Sequence, residues 1–89
     1  MSIVVHTYTV IRKKIGSGWN DGAKTQAIYT TNDENKALEF LKDDIEDMKA
    51  KWPELGEERF GQLGGARWWD LGNAEFGLEY QIGHSWKEV

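Results

Sequence analysis

The chain contains no cysteine. That single absence removes disulfides, thiolate metal sites and cysteine nucleophiles together, and it fits a reducing compartment. Histidine is nearly absent too, occurring only at His6 and His84. Long apolar runs are missing: the start, Met1-Ser2-Ile3-Val4-Val5-His6, has no basic stretch and only three consecutive apolar residues. This is no signal peptide, and no stretch approaches membrane-span length, so a cytoplasmic setting without membrane contact is expected. Acidic residues outnumber basic ones, 15 to 11, and the one basic run is Arg12-Lys13-Lys14. A lone triplet is too little to track a phosphate backbone, and direct nucleic-acid binding is not expected.

What is present suits one small domain spanning residues 1–89, near the lower limit of what folds unaided. The hydrophobic fraction is only 39%, but five tryptophans, three tyrosines and three phenylalanines supply large burial areas. That aromatic content argues against disorder. The net charge of −4 is unevenly spread. Residues 33–58 hold ten acids against four lysines, −6 locally, which leaves the remainder at +2.

Residues 3–11 are dense in β-branched and aromatic side chains and predict a strand. Residues 16–22, Gly-Ser-Gly-Trp-Asn-Asp-Gly, predict a turn, and residues 25–31 the returning strand. Thr31 and Glu34 have the spacing of a capping box, in which each side chain satisfies the other's backbone donor. From there Ala37, Leu38, Leu41, Ile45, Met48 and Trp52 form one stripe on a 3.6-residue period, widened by Phe40. Lys49 and Lys51 suit the negative end of the helix dipole, and Pro53 stops the helix. Residues 54–65, with four glycines, predict a connecting loop pinned by Leu55, Phe60 and Leu63. Residues 66–71 predict a third strand and residues 72–74 a turn. The last strand alternates Phe76, Leu78, Tyr80, Ile82 with Glu75, Gly77, Glu79, Gln81, a period of two that puts one face on a core.

The expected fold is therefore α+β, in the order ββαββ: a four-stranded, largely antiparallel sheet with one amphipathic helix on one face. One helix covers one face only, so the other becomes a candidate surface. Adjacent strand residues point to opposite faces, so one of Trp68 and Trp69 can enter the core under the helix, while the other either packs against residues 54–65 or a partner subunit or stands outside as an aromatic anchor on the open face. Trp86 and Trp19 add to an aromatic binding surface if they share that side, tryptophan being favoured at interface hot spots. The acidic helix face, including Asp43, Asp44, Glu46 and Asp47, is first a solubilising surface and second a recognition stripe for a basic partner. In its strongest form such a stripe imitates a phosphate backbone, as small phage-encoded and mobile-element inhibitors do.

Catalytic signals are weak. His6 or His84 would need to sit beside Ser2, Ser17 or Ser85 for a Ser-His-acid arrangement, and no nucleophile-elbow spacing surrounds those serines. His84 with Glu79, or Glu79 with Asp70, are the remaining acid–base candidates. The acids of the helix lack the turning glycine of a calcium loop, so no metal is expected, and no cofactor. Gly16-Ser17-Gly18 and Gly64-Gly65 are turns rather than phosphate loops, because neither leads into Gly-Lys-Ser/Thr. The sequence thus points to a small non-catalytic protein-interaction module, an acidic inhibitor or adaptor binding another protein or pairing as a homodimer. The alternatives are a nucleic-acid mimic acting through the helix acids, and a small homodimeric enzyme or ligand-binding domain using His84 and Glu79.

Overall fold

The computed structural model describes residues 3–19 and 24–89. Ser2, and Asn20, Asp21 and Gly22 of the expected turn, lie outside them. The elements are β1 (Val4–Ile15), β2 (Thr25–Thr31), α1 (Glu34–Lys51), a 3-10 turn (Pro53–Leu55), β3 (Arg59–Leu63), β4 (Ala66–Gly72) and β5 (Gly77–Glu88). All strand pairings are antiparallel, in the spatial order β2-β1-β5-β4-β3. The fold class is the expected one, α+β with a single helix on one sheet face, but the sheet has five strands rather than four.

The additional strand is β3, where a loop over residues 54–65 was expected. Glycine discourages a strand assignment, yet Gly61 sits mid-strand for a packing reason. It lies opposite Trp68, and a Cβ there would overlap the Trp68 ring. Leu63 pairs with Ala66, so Gly64-Gly65 makes a two-residue hairpin turn, with Gly64 at the positive φ of 61° that primed turns demand.

The start of the helix also differs from expectation. Asp33 is the N-cap, its side chain accepting the Asn35 N–H at 2.9 Å, while Thr31 Oγ1 accepts the Asp33 N–H at 3.2 Å. Aspartate is a stronger N-cap than threonine, and it takes the role one position before Glu34. No capping box forms. Glu34 reaches sideways to Arg67, 3.7 Å away. The apolar stripe behaves as its period requires: Ala37, Leu41, Ile45 and Met48 are buried, with Leu38 and Phe40 half-buried beside them.

The helix packs on the face formed by Val10 and Tyr29, by Leu78 and Tyr80, and by Trp69 and Leu71. Val10, Leu41, Ile45, Leu71, Leu78 and Tyr80 are fully buried. Burial of each such side chain contributes about 1.5–3 kcal/mol. Tyr29 stacks on Phe40 with ring centroids 4.4 Å apart, tying edge strand β2 to the helix. A register shift between Val10 and Ile11 bulges β2 at Ile28.

A polar clamp orients the helix within this apolar layer. Arg12 Nη1 donates to both Asp44 oxygens at 3.1 and 2.8 Å, and the Tyr80 hydroxyl donates to Asp44 Oδ2 at 2.6 Å. One helix carboxylate is thereby held by β1 and β5 together. Burial, which would lower the Arg12 pKa, is outweighed by the hydrogen bond and charge of Asp44, so it is raised. Tyr80 is pushed well above its usual 10.0, first by burial and then by the hydrogen bond and charge of Asp44, with Arg12 opposing.

Two outcomes follow for stability. Asp44→Ala leaves a buried hydroxyl and a guanidinium without their acceptor. It should cost about 2–3 kcal/mol, or roughly 10–20 °C in Tm by calorimetry. Tyr80, whose folded pKa is raised, keeps its proton where the unfolded chain releases it. Its contribution is constant below about pH 10 and is lost as pH rises beyond that. Denaturant melts in alkaline buffers should show this fall, and Tyr80→Phe should flatten it; an unchanged slope in the variant would assign the effect to other groups.

Candidate functional site

The longest pairing in the sheet creates the most exposed surface. β1 and β5 pair over twelve registered positions, from Val4 opposite Glu88 to Ile15 opposite Gly77. Their outer neighbours are shorter. β2 stops at Thr31 opposite Tyr8, and β4 begins to pair at Trp68 opposite Gln81. Beyond those points β1 and β5 continue as a bare two-stranded arm, closed by reciprocal backbone bonds between Ile3 and Val89 at 3.2 and 2.8 Å. The molecule measures 51 × 25 × 22 Å accordingly.

The arm carries the apolar residues that the body would bury. Of the large hydrophobics left exposed, Ile3, Val4, Val5, Trp86 and Val89 are on it, and Phe60 and Leu63 on edge strand β3. Directly opposed residues share a face. His6 opposite Trp86 and Tyr8 opposite His84 therefore continue, past the helix, the face that holds Val10 and Ile82. The Tyr8 and His84 rings are parallel, 6° apart with centroids at 4.5 Å. His6 Nδ1 lies 2.8 Å from His84 Nε2, and Trp86 leans on His84 at 5.7 Å between centroids. Where β4 leaves β5, a cleft of about 240 Å³ opens beside this ladder, lined by Tyr8, Glu34, Arg67, Trp69 and His84 among others.

The expected site residues are dispersed. Trp69 is the inward member of its pair, 4% exposed, between Phe60 and the cations of Lys42 and Arg67. Trp68 is the outward one and lies half-buried over Gly61 on the face away from the helix. Trp86 does not share that face. It stands on the arm, 67% exposed, on the helix side of the sheet. Trp19 is structural in its contacts: its Nε1 donates to the Ile15 and Gly77 carbonyls at 3.2 and 3.0 Å, and its ring packs edge-on against Trp52 and Phe76.

The acidic stripe is also divided. Asp44 turns inward to the Arg12–Tyr80 clamp, with its side chain 16% exposed, which corrects the expectation that it lies on a free acidic face. Asp43 is exposed. Glu46 and Asp47 are exposed and sit within 3.8 Å of Lys49 and 3.2 Å of Lys51. His84 and Glu79 fall on opposite faces of β5 by strand parity, and His84 pairs with His6 instead. Glu79 and Asp70 do stand directly opposite each other across β4 and β5, as expected, but Glu79 takes the Gln81 amide at 3.0 Å and Asp70 pairs with Arg59. The acid–base pairing of His84 with Glu79 is not formed.

The face away from the helix presents Thr7, Thr9, Ile11 and Lys13 of β1 beside Glu79, Gln81 and Ser85 of β5, with the Trp68 ring over Gly61. At the arm the same face carries Ile3, Val5 and Val89, while Val4 and Trp86 stand on the helix side, so the exposed apolar residues occupy both faces of the ribbon. Sequence reasoning missed the arm because it needs two lengths at once, that of β1–β5 and that of the flanking strands. The β-rich run from Ile3 and the parity of His84 and Trp86 were its visible trace.

Among the described residues, no group of three or more His, Cys, Asp or Glu side chains is placed to hold a metal ion, and no helix is long and apolar enough to cross a membrane. No protein-family model, curated protein or solved structure matches the chain. Trp86 and Trp69 should separate cleanly in solution. Trp86→Phe is expected to remove far more of the iodide-quenchable fluorescence than Trp69→Phe, and equal losses would place Trp86 inside.

Proposed function

We propose that this chain is a small non-catalytic protein-interaction module that engages a protein partner, another protein or a second copy of itself, through the aromatic arm of β1 and β5. The single observation that carries this reading is the concentration of Ile3, Val4, Val5, Trp86 and Val89, all exposed, on one protruding two-stranded ribbon. A small domain gains nothing in solubility from such a patch, and contiguous exposed apolar surface marks interaction sites. Trp86 and Tyr8 are residue types that dominate interface energetics. Main-chain donors and acceptors along the ribbon edges offer a partner strand its hydrogen bonds.

The nucleic-acid mimic has less support, because Asp44 is withdrawn into the clamp and Glu46 and Asp47 have lysine neighbours. The exposed acids serve this reading better as a charged surface that limits unspecific association.

Affinity capture from the native host tests the proposal. The wild-type chain should retain a defined protein partner, and Trp86→Ser combined with Tyr8→Ser should lose it while keeping the far-ultraviolet circular dichroism of the fold. Equal retention by the double variant would remove the arm from the interaction.

A further inference from the structure

The arm has two edges, and their hydrogen-bonding capacity differs. Ile3 and Val89 exchange both backbone bonds, so in an antiparallel ladder the next bonded pairs are Val5–Lys87, Thr7–Ser85 and Thr9–Gly83. The odd-numbered residues of β5 therefore direct their N–H and C=O groups towards β1. The even-numbered ones direct theirs outward, to the side where β4 pairs as far as Trp68 opposite Gln81. Past that point the outward groups of His84, Trp86 and Glu88 have no backbone partner among the described residues. The corresponding free edge of β1 offers only Val4 and His6.

Resting on the arm as the interaction surface, we infer that its partner is a second copy of this chain, added edge to edge along β5 about a two-fold axis at Trp86. In that register Trp86 faces Trp86 of the other copy, and His84 faces Glu88. Ser85 faces Lys87. The three outward residues of each copy then bond one another, giving about six backbone hydrogen bonds. Two five-stranded sheets become one continuous sheet of ten.

Three observations select this arrangement. It is self-complementary, as an isologous interface must be, and it covers the most exposed tryptophan with its own symmetry mate. It sets the Glu88 carboxylate against His84, whose ring already meets His6, and keeps like charges apart. Residues 3–11 and 82–86 hold no Asp, Glu, Lys or Arg, so the arm is where two copies of a chain of net charge −4 approach without repulsion. A register shifted by two main-chain positions would face Ser85 with Ser85 and drive Glu88 against Ile82. Ile82 directly follows Gln81, the position up to which β4 already occupies this edge of β5, so the shifted register runs into β4.

The absence of cysteine makes the register directly testable. Ser85→Cys and Lys87→Cys chains are purified separately, mixed and mildly oxidised. In the inferred dimer these two positions form a non-hydrogen-bonded pair with Cα atoms about 4.5 Å apart, within disulfide reach. The mixed S85C–K87C disulfide should exceed either self-linked product several-fold. Wild type should pass from monomer to dimer with concentration in light scattering coupled to sizing chromatography. Trp86→Pro should stay monomeric at every concentration, since it removes an outward N–H while the β1–β5 ladder keeps its own donors. Should that variant lose its circular dichroism signal, the disulfide pattern still decides.

Predominant S85C self-linkage would overturn the register, and a dimer indifferent to both changes would overturn the edge while leaving the arm's partner to be found elsewhere. A wild type monomeric throughout overturns the second-copy inference. If the arm still captures a foreign protein in that case, the interaction module stands; if it captures nothing, both fall.

Discussion

The first and last strands of this chain pair along twelve positions, and the rest of the molecule is arranged around that ladder. β1 and β5 lie side by side at the centre of the sheet although they are the most distant strands in sequence. The two local hairpins attach to it from outside, β2 on β1 and β4–β3 on β5. Because both flanking strands are shorter than the ladder, a sheet of complete width exists at one end only. The helix covers that end, and the arm is what remains. A closing pairing of such large sequence separation also carries the largest single loop-closure entropy among the strand pairings.

Within the covered end, apolar burial and one carboxylate divide the work. The stripe on α1 fixes which side of the helix meets the sheet, but hydrophobic contact is non-directional and leaves its rotation and height loosely set. Asp44 removes that freedom, because a guanidinium nitrogen that donates to both its oxygens and a phenol must both reach it. Desolvating Arg12 and Tyr80 is unfavourable, and the Nε of Arg12 is buried without a hydrogen-bond partner among the described residues. Such a site is better explained as specifying one arrangement of helix and sheet than as a large net source of stability.

The two ends of the ladder impose different chemistry on the same parity of residues. Even-numbered side chains of β5 run Leu78, Tyr80, Ile82, His84, Trp86 along one face. The first two are fully buried under the helix, while the last two are exposed. A single alternating pattern thus lines the core and then an exposed surface, with the change falling where β4 and the helix end. The opposite face of the sheet is built over the body from threonines, charged groups and Gln81, and at the arm it turns apolar with Ile3, Val5 and Val89. The exposed end of the helix-side face lies where neither β4 nor the helix reaches.

Residue pattern alone determined the class of fold, the two hairpins that flank the helix, the helix with its buried stripe, and the fact that only one of Trp68 and Trp69 enters the core. These follow from periods of 3.6 and two, which are local properties of backbone geometry. β3 was hidden because Gly61 weakens the strand signal for a reason held in another strand, the Trp68 ring above it. The sides taken by Trp68 and Trp69, the inward turn of Asp44, the packing of Trp19 and the arm itself were decided by tertiary structure. Each depends on which strands become neighbours and where each neighbour stops. Strand register over more than seventy residues is set by the summed packing of both sheet faces, and no short stretch of sequence contains it.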